Sequence, residues 1–161
     1  IAKNALLLYF RMLFMMLVSL YTSRVVLATL GVEDFGIYNV VGGVITMFSF
    51  FNGAMSSSTQ RYITFELGRG DFDQLQKVFQ TSVNIHLLVA LLILFLGETI
   101  GLWFFYEKMV IPASRMTAAF WVYQFSIITM MVMIVSVPYN AAIIAHEKMS
   151  IFAYISILEV L

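Results

Sequence analysis

The sequence predicts an all-α protein, a bundle of helices that crosses a membrane several times. Hydrophobic residues make up 61% of the 161 residues and charged residues only 11%, and the mean hydropathy is +0.93. A soluble globular chain is about half apolar and about a quarter charged, so this chain has too few charges to cover a water-facing surface. In lipid, long apolar runs form helices, because helices satisfy their own backbone hydrogen bonds.

Charge and residue types argue against several other classes of protein. The formal net charge is +0, so there is no basic field to attract nucleic acid. Cysteine is absent, which excludes disulfide frameworks and thiolate metal sites. The sequence has no nucleophile elbow, zinc-protease motif or phosphate-binding loop. We therefore expect neither an enzyme nor a resident cofactor.

Four stretches are long enough to span a bilayer, and a fifth begins. A hydrocarbon core of ~30 Å needs about 20 mostly apolar helical residues. We read the chain, residues 1–161, as one transmembrane domain and expect it to be part of a longer protein. The predicted spans are approximately 5–30, 36–67, 78–105, 116–145 and 150–161 onward.

Local signals place the ends of these helices. Gly31 is a plausible C-cap for the first span, and Asp34 a candidate N-cap for the second. Gly70 belongs to a break before the third helix, where Asp71 and Gln74 have the spacing of a capping box. The links between spans are short, which predicts that consecutive helices are antiparallel neighbours.

Basic residues and aromatic belts predict a cytoplasmic N-terminus. In that orientation, six Lys and Arg residues lie towards the inside and three towards the outside, as the positive-inside rule favours. The inner group is Lys3, Arg11, Arg61, Arg69, Lys77 and Lys148, and the outer group is Arg24, Lys108 and Arg115. Aromatic residues at the outer ends of spans three and four agree with this orientation.

The second predicted span carries a stripe of polar and small residues. Its members are spaced alternately three and four residues apart, which forms one continuous helical face. They are Asn39, Gly42, Thr46, Ser49, Gly53, Ser56 and Gln60, with Asn52 broadening the face. Small residues also line helix–helix interfaces, but amide side chains need polar partners in lipid. We expect a cavity wall, with a packing interface as the alternative.

Three arginines lie within or at the ends of spans. An Arg at the centre of a spanning helix costs about 2.5–3.5 kcal/mol on insertion scales, so it usually faces a cavity or a partner. Arg11, Arg24 and Arg61 are therefore candidate ligand contacts. For Arg24 and Arg61 the alternative is that the long side chain reaches the membrane interface.

Spans three and four add polar residues. We predict that Asn84 of span three lines a cavity, together with Thr129, Ser136 and Asn140, which share a face of span four. Glu98 is a candidate for coupling transport to H⁺ or Na⁺, and equally for an interfacial carboxylate.

Glycine and proline mark two further features of these spans. Gly97 and Gly101 form a Gly-xxx-Gly pair, which favours close helix packing and is weak evidence for dimerisation. Pro138 is expected to interrupt the fourth span and can mark a hinge.

Two segments resemble one family of bacterial transporters. Residues 21–27 (YTSRVVL) and 30–41 (LGVEDFGIYNVV) resemble the end of helix 1 and the start of helix 2 in Wzx-like oligosaccharide flippases. Residues 137–141 (VPYNA) and 145–149 (AHEKM) look like the end of helix 4 in the same group. These flippases belong to the multidrug/oligosaccharidyl-lipid/polysaccharide exporter superfamily.

This resemblance implies a fold, a substrate and partners. The chain would be most of the N-terminal lobe of a two-lobe exporter and would need the C-terminal lobe to work. The exporter would flip undecaprenyl-pyrophosphate-linked oligosaccharide across the bacterial inner membrane by alternating access. That step serves the synthesis of surface polysaccharide such as O-antigen in lipopolysaccharide. Arg24 and Arg11, then Arg61, would contact the pyrophosphate, although Arg11 and Arg24 do not share a helical face.

Two other functions stay open at this point. The first is a cation-coupled exporter of small molecules or drugs with the same fold. The second is a membrane scaffold subunit that transports nothing, in which the polar stripe is only a packing interface.

Overall fold

The computed structural model describes residues 2–46 and 49–160. Side chains are described throughout these ranges except at residues 2–5, 7, 44–46, 49–52 and 159–160. All regular structure within these ranges is helical, so the predicted all-α class is confirmed. The helices are α1 (Ala2–Thr46), α2 (Ser49–Arg69), α3 (Phe72–Leu96), a π-helical turn (Gly97–Gly101), α4 (Leu102–Glu107), α5 (Met116–Ala145) and α6 (Met149–Val160).

Three helical segments in the described part of the chain are long and apolar enough to cross a membrane. They are Leu8–Gly43, Phe72–Glu107 and Met116–Ala145, and the shorter apolar helix Met149–Leu158 follows them. These segments support the prediction of a membrane protein. The predicted span over 36–67 is divided between α1 and α2 and includes residues 47–48, which lie outside the described ranges. The total of four spans therefore stays a prediction.

The chain bends sharply at Gly31, where the first span was expected to end. The backbone there has φ 76° and ψ 173°, outside the helical region, and α1 is two helices joined at this kink. A positive φ of this kind is readily available only to glycine. Residues 18–26 and residues 35–39, on either side of the bend, wall one cavity. The two segments of α1 therefore approach each other.

The structure corrects the role expected of Asp34. Helical structure resumes immediately after Gly31, so Asp34 lies inside the second segment of α1 and does not cap it. Its carboxylate instead forms an ion pair with Arg115, with Oδ1 3.0 Å from Nε. Arg115 immediately precedes α5, so this ion pair fastens the bend in α1 to the start of α5.

Other helix ends follow the sequence signals. The backbone N–H of Gln74 donates to Oδ1 of Asp71 at 3.0 Å, and α3 begins at the next residue, Phe72. Gly70 directly follows the last residue of α2 and has φ 72°. Its backbone N–H donates to the carbonyl of Leu67 at 3.2 Å. The interruption predicted at Pro138 is wrong, because α5 continues as one helix to Ala145.

Helix α5 lies at the centre of the described structure and contacts α1, α2, α3 and α6. Its buried positions recur every three or four residues, which places them along one side of the helix. These positions are Ala119, Tyr123, Ile127, Met130, Ile134, Val137, Pro138, Ala141 and Ala145. Because lipid offers no hydrophobic drive between helices, this packing stabilises the bundle chiefly by van der Waals contact.

Contacts at the two ends of α5 fix the directions of its neighbours. Phe79, early in α3, meets Tyr139 at 5.5 Å between ring centroids, and Phe105 of α4 meets Tyr123 at 5.4 Å. The rod formed by α3, the π turn and α4 therefore runs antiparallel to α5. Ile63 of α2 packs near the end of α5, whereas Asp34 of α1 pairs with Arg115 beside the start of α5. The direction from the second segment of α1 to α2 is therefore parallel to α5.

Candidate functional site

An open groove lies between the second segment of α1 and the middle of α5. Its volume is about 640 Å³, within the range of ~300–1,000 Å³ that small-molecule sites occupy. We call it the central groove. It is lined by Tyr38, Asn39, Gly42, Gly43, Val122, Phe125, Ser126, Thr129, Met130 and Met133.

Three polar side chains of the central groove make hydrogen bonds within their own helices. Nδ2 of Asn39 donates to the carbonyl of Phe35 at 2.8 Å. The hydroxyl of Ser126 donates to Val122 at 2.7 Å, and that of Thr129 donates to Phe125 at 2.8 Å. Hydroxyl groups bonded in this way keep lone pairs that can accept a further hydrogen bond.

A second, smaller groove adjoins the central groove and shares Asn39 with it. Its volume is about 360 Å³, and we call it the elbow groove because the two segments of α1 enclose it. Its polar residues include Ser19, Thr22 and Ser23 from the first segment. Tyr38 and Asn39 belong to both grooves. Asn39 therefore lines two grooves that both contain hydroxyl side chains.

The Gly-xxx-Gly pair, Gly97 and Gly101, packs against Tyr123 of the same chain. The hydroxyl of Tyr123 donates to the carbonyl of Gly97 at 2.7 Å. A Cβ at Gly101 would overlap that hydroxyl, and a Cβ at Gly97 would lie 2.8 Å from Cδ1 of Ile127. The two glycines allow the π turn to approach α5 closely, as predicted, and the partner is α5.

Glu98 lies on the π turn beside this contact. Its carboxylate accepts from Nε2 of Gln124 at 3.4 Å. In the described part of the chain, no three carboxylate or imidazole side chains lie close enough together to hold a metal ion. A coupling role for Glu98 stays a prediction.

The predicted arginines lie away from the central groove. The guanidinium of Arg11 lies 4.4 Å from the ring centroid of Phe152 in α6, which is a cation–π contact. Its Nε is buried without a hydrogen-bond partner. Arg24 and Arg61 are exposed, on α1 and α2. None of the three belongs to the described lining of either groove.

The remaining predicted residues are spread over three helices. Ser56 and Gln60 of α2 are half-buried, as is Asn140 of α5, and Asn84 of α3 is exposed. The hydroxyl of Ser136 donates to the carbonyl of Met133 at 2.8 Å. The side chains of Thr46, Ser49 and Asn52 lie outside the described residues. Of the residues predicted to line a cavity, Asn39, Gly42 and Thr129 belong to the described lining of the central groove.

Sequence reasoning missed several groove residues. Ser126 precedes Thr129 by three residues, so helical spacing places both on one face. That spacing could have identified it. Tyr38 and Phe125 carried no signal, because aromatic residues are common throughout this chain.

His86 of α3 is buried, with Nδ1 bonded to the carbonyl of Ser82 at 2.7 Å.

No family model, curated protein or solved structure matches this chain. The resemblance to oligosaccharide flippases therefore rests on the quoted segments alone. One of those segments contains Gly31, Asp34, Tyr38 and Asn39, and so provides the bend and one wall of the central groove.

Proposed function

We propose that this chain is part of a multi-pass membrane transporter, and that the central groove is one wall of the path its solute takes. The observation that carries the proposal is the meeting of Asn39 and Thr129 in one open groove. These residues come from the polar face of the second predicted span and that of the fourth. Polar groups at an open surface between apolar spans suit a water- or ligand-filled path. Each side chain makes one hydrogen bond within its own helix, and lipid would leave its remaining donors and acceptors without partners.

The substrate in this proposal is a lipid-linked oligosaccharide, flipped by alternating access across the bacterial inner membrane. The resemblance of residues 21–41 and 137–149 to oligosaccharide flippases supplies this choice. The proposal includes four spans with the N-terminus in the cytoplasm, and a C-terminal lobe that supplies the opposite wall of the path. The sharp bend at Gly31 sets the direction of the second segment of α1, which lines the groove.

Two contacts argue against the alternative functions. A scaffold that dimerises through Gly97 and Gly101 would need that face free, and Tyr123 of the same chain occupies it. A cation-coupled exporter of small molecules or drugs would be expected to place an acid in its central path. No carboxylate belongs to the described lining of the central groove, and Glu98 is bonded to Gln124.

The test uses single substitutions in the full-length protein, expressed in cells that depend on it for surface polysaccharide. Asn39→Leu and Thr129→Val remove groove polarity while nearly preserving side-chain volume. Val132→Leu is the matched control, because Val132 is on α5, is 63% exposed and is not among the described lining residues of the groove. Surface glycan and membrane abundance are measured together. We expect both groove variants to lose glycan at unchanged abundance, and normal glycan in both would refute the proposal.

A further inference from the structure

The hydrogen-bonding state of the central groove restricts what it can bind. The hydroxyl protons of Ser126 and Thr129 are committed to carbonyl groups one turn back along α5. Each oxygen can therefore accept from a ligand but cannot donate to one without breaking its present bond. Asn39 also commits one of its two N–H groups to Phe35. In the described lining, the remaining side-chain donors are the second N–H of Asn39 and the hydroxyl of Tyr38, whereas Asn39, Tyr38, Ser126 and Thr129 can all accept, so the groove presents more acceptors than donors.

The groove also lacks formal charge. None of its described lining residues is Lys, Arg, Asp or Glu, and Arg11 lies instead against Phe152. A phosphate group has only acceptor oxygens, so Ser126 and Thr129 would face it lone pair to lone pair. An ammonium group would find acceptors, but no opposite charge to offset its desolvation in a membrane. An uncharged ligand that donates several hydrogen bonds fits the groove best.

Apolar residues complete the chemistry of the site. Tyr38 and Phe125 line the groove from opposite helices, and Met130 and Met133 form part of the α5 side. Aromatic rings offer a flat apolar surface at little conformational cost, and methionine adapts to irregular shapes. A sugar ring combines an apolar C–H face with hydroxyl donors around its edge, and therefore matches both parts of this lining.

We propose that the central groove is a saccharide subsite: it binds uncharged sugar rings of the lipid-linked oligosaccharide, and the diphosphate is bound outside it. This inference rests on the proposed transport function. It assigns substrate recognition to Tyr38, Phe125, Ser126 and Thr129, of which only Thr129 was a predicted site residue. It also separates the sugar-binding residues from the three arginines in space.

Binding measurements on the full-length protein in lipid nanodiscs test the assignment. The two probes are the lipid-linked oligosaccharide isolated from the host cell and undecaprenyl diphosphate without sugar. Thr129→Val and Ser126→Ala each remove one acceptor, and Val132→Leu is the control outside the groove. We expect each groove variant to weaken binding of the glycosylated lipid about tenfold, which corresponds to one good hydrogen bond. Binding of the sugar-free lipid should not change.

The outcomes separate this inference from the transport proposal. Equal weakening for both lipids would place the diphosphate in the groove and overturn the saccharide assignment. Unchanged binding of the glycosylated lipid in both variants would overturn it too, while leaving transport intact. If the unsubstituted protein binds neither lipid, the proposed function fails and the assignment fails with it. Thermal unfolding of each variant excludes misfolding. If Thr129→Val is unstable, binding of the glycosylated lipid to Ser126→Ala tests the assignment instead.

Discussion

Replacing Gly101 with alanine tests how tightly the π turn packs against α5. The new Cβ would overlap the hydroxyl of Tyr123, so the ring must move. That movement also breaks the 2.7 Å hydrogen bond from Tyr123 to the carbonyl of Gly97. Overpacking of this kind costs about 1–3 kcal/mol, and the lost hydrogen bond about 1 kcal/mol. Alanine is more favourable than glycine within a helix by about 0.5–1 kcal/mol. We therefore expect the free energy of unfolding to fall by roughly 1–3 kcal/mol in all.

The assay is unfolding of the detergent-solubilised protein by SDS, followed by far-UV circular dichroism. Gly53→Ala is the matched control, because Gly53 is also helical and no described atom lies within 4 Å of the position that the added Cβ would take. This control should gain about 0.5–1 kcal/mol from helix propensity alone.

A second substitution shows whether the tyrosine hydroxyl is the cause. In Gly101→Ala combined with Tyr123→Phe the overlapping oxygen is gone, and the next ring atom, Cζ, lies 3.3 Å from the new Cβ. The double variant should therefore be more stable than Gly101→Ala alone, although Tyr123→Phe by itself costs about 0.5–1.5 kcal/mol. If Gly101→Ala behaves like Gly53→Ala, or if removing the hydroxyl gives no rescue, the described packing is incorrect.

Four further substitutions test the bends and links of the bundle by unfolding in SDS or on heating. Gly31→Ala places a side chain at φ 76° and should destabilise the protein by about 1–3 kcal/mol; an unchanged transition would mean that the bend differs. Asp34→Asn and Arg115→Gln should show a coupling of only about 0.2–1 kcal/mol in a double-mutant cycle, because the Arg115 side chain is 51% exposed. Additive effects would argue against the ion pair. Glu147→Gly should raise the melting temperature slightly, since Glu147 has φ 57° and glycine adopts this conformation without steric cost; a lower melting temperature would contradict that conformation.

Local signals in the sequence predicted much of the fold. The all-α class follows from composition, and the start of α3 follows from Asp71, whose side chain bonds only three residues along the chain. The bend at Gly31 is local for the same reason, since it depends on one residue's backbone freedom. Pro138 is the exception among local signals. It lies buried within α5, where packing on neighbouring helices outweighs the helix-breaking tendency of proline.

The candidate site depended on contacts between distant residues, which periodicity does not give. Asp34 has the residue type and position of an N-cap, and only the fold brings Arg115 to within 3.0 Å of it. The Gly-xxx-Gly pair predicted close packing but could not name Tyr123 as the partner. Similarly, the sequence grouped Arg11 with a ligand site because of its charge, whereas the folded chain places it on Phe152. The faces of single helices were predictable, but their pairing was not.

In the proposed function, the central groove between α1 and α5 is a polar path within a membrane. Because the chain contains no cysteine, a single cysteine can be introduced at Thr129 in the groove or at Val132, which is 63% exposed elsewhere on α5. A membrane-impermeant methanethiosulfonate reagent is then applied to cells and to inverted membrane vesicles, since thiolates form and react only where water reaches them. We expect rapid modification of Thr129→Cys from at least one side and little modification of Val132→Cys. Equal resistance at both positions would contradict it and would make the groove a packing interface or a lipid-filled crevice.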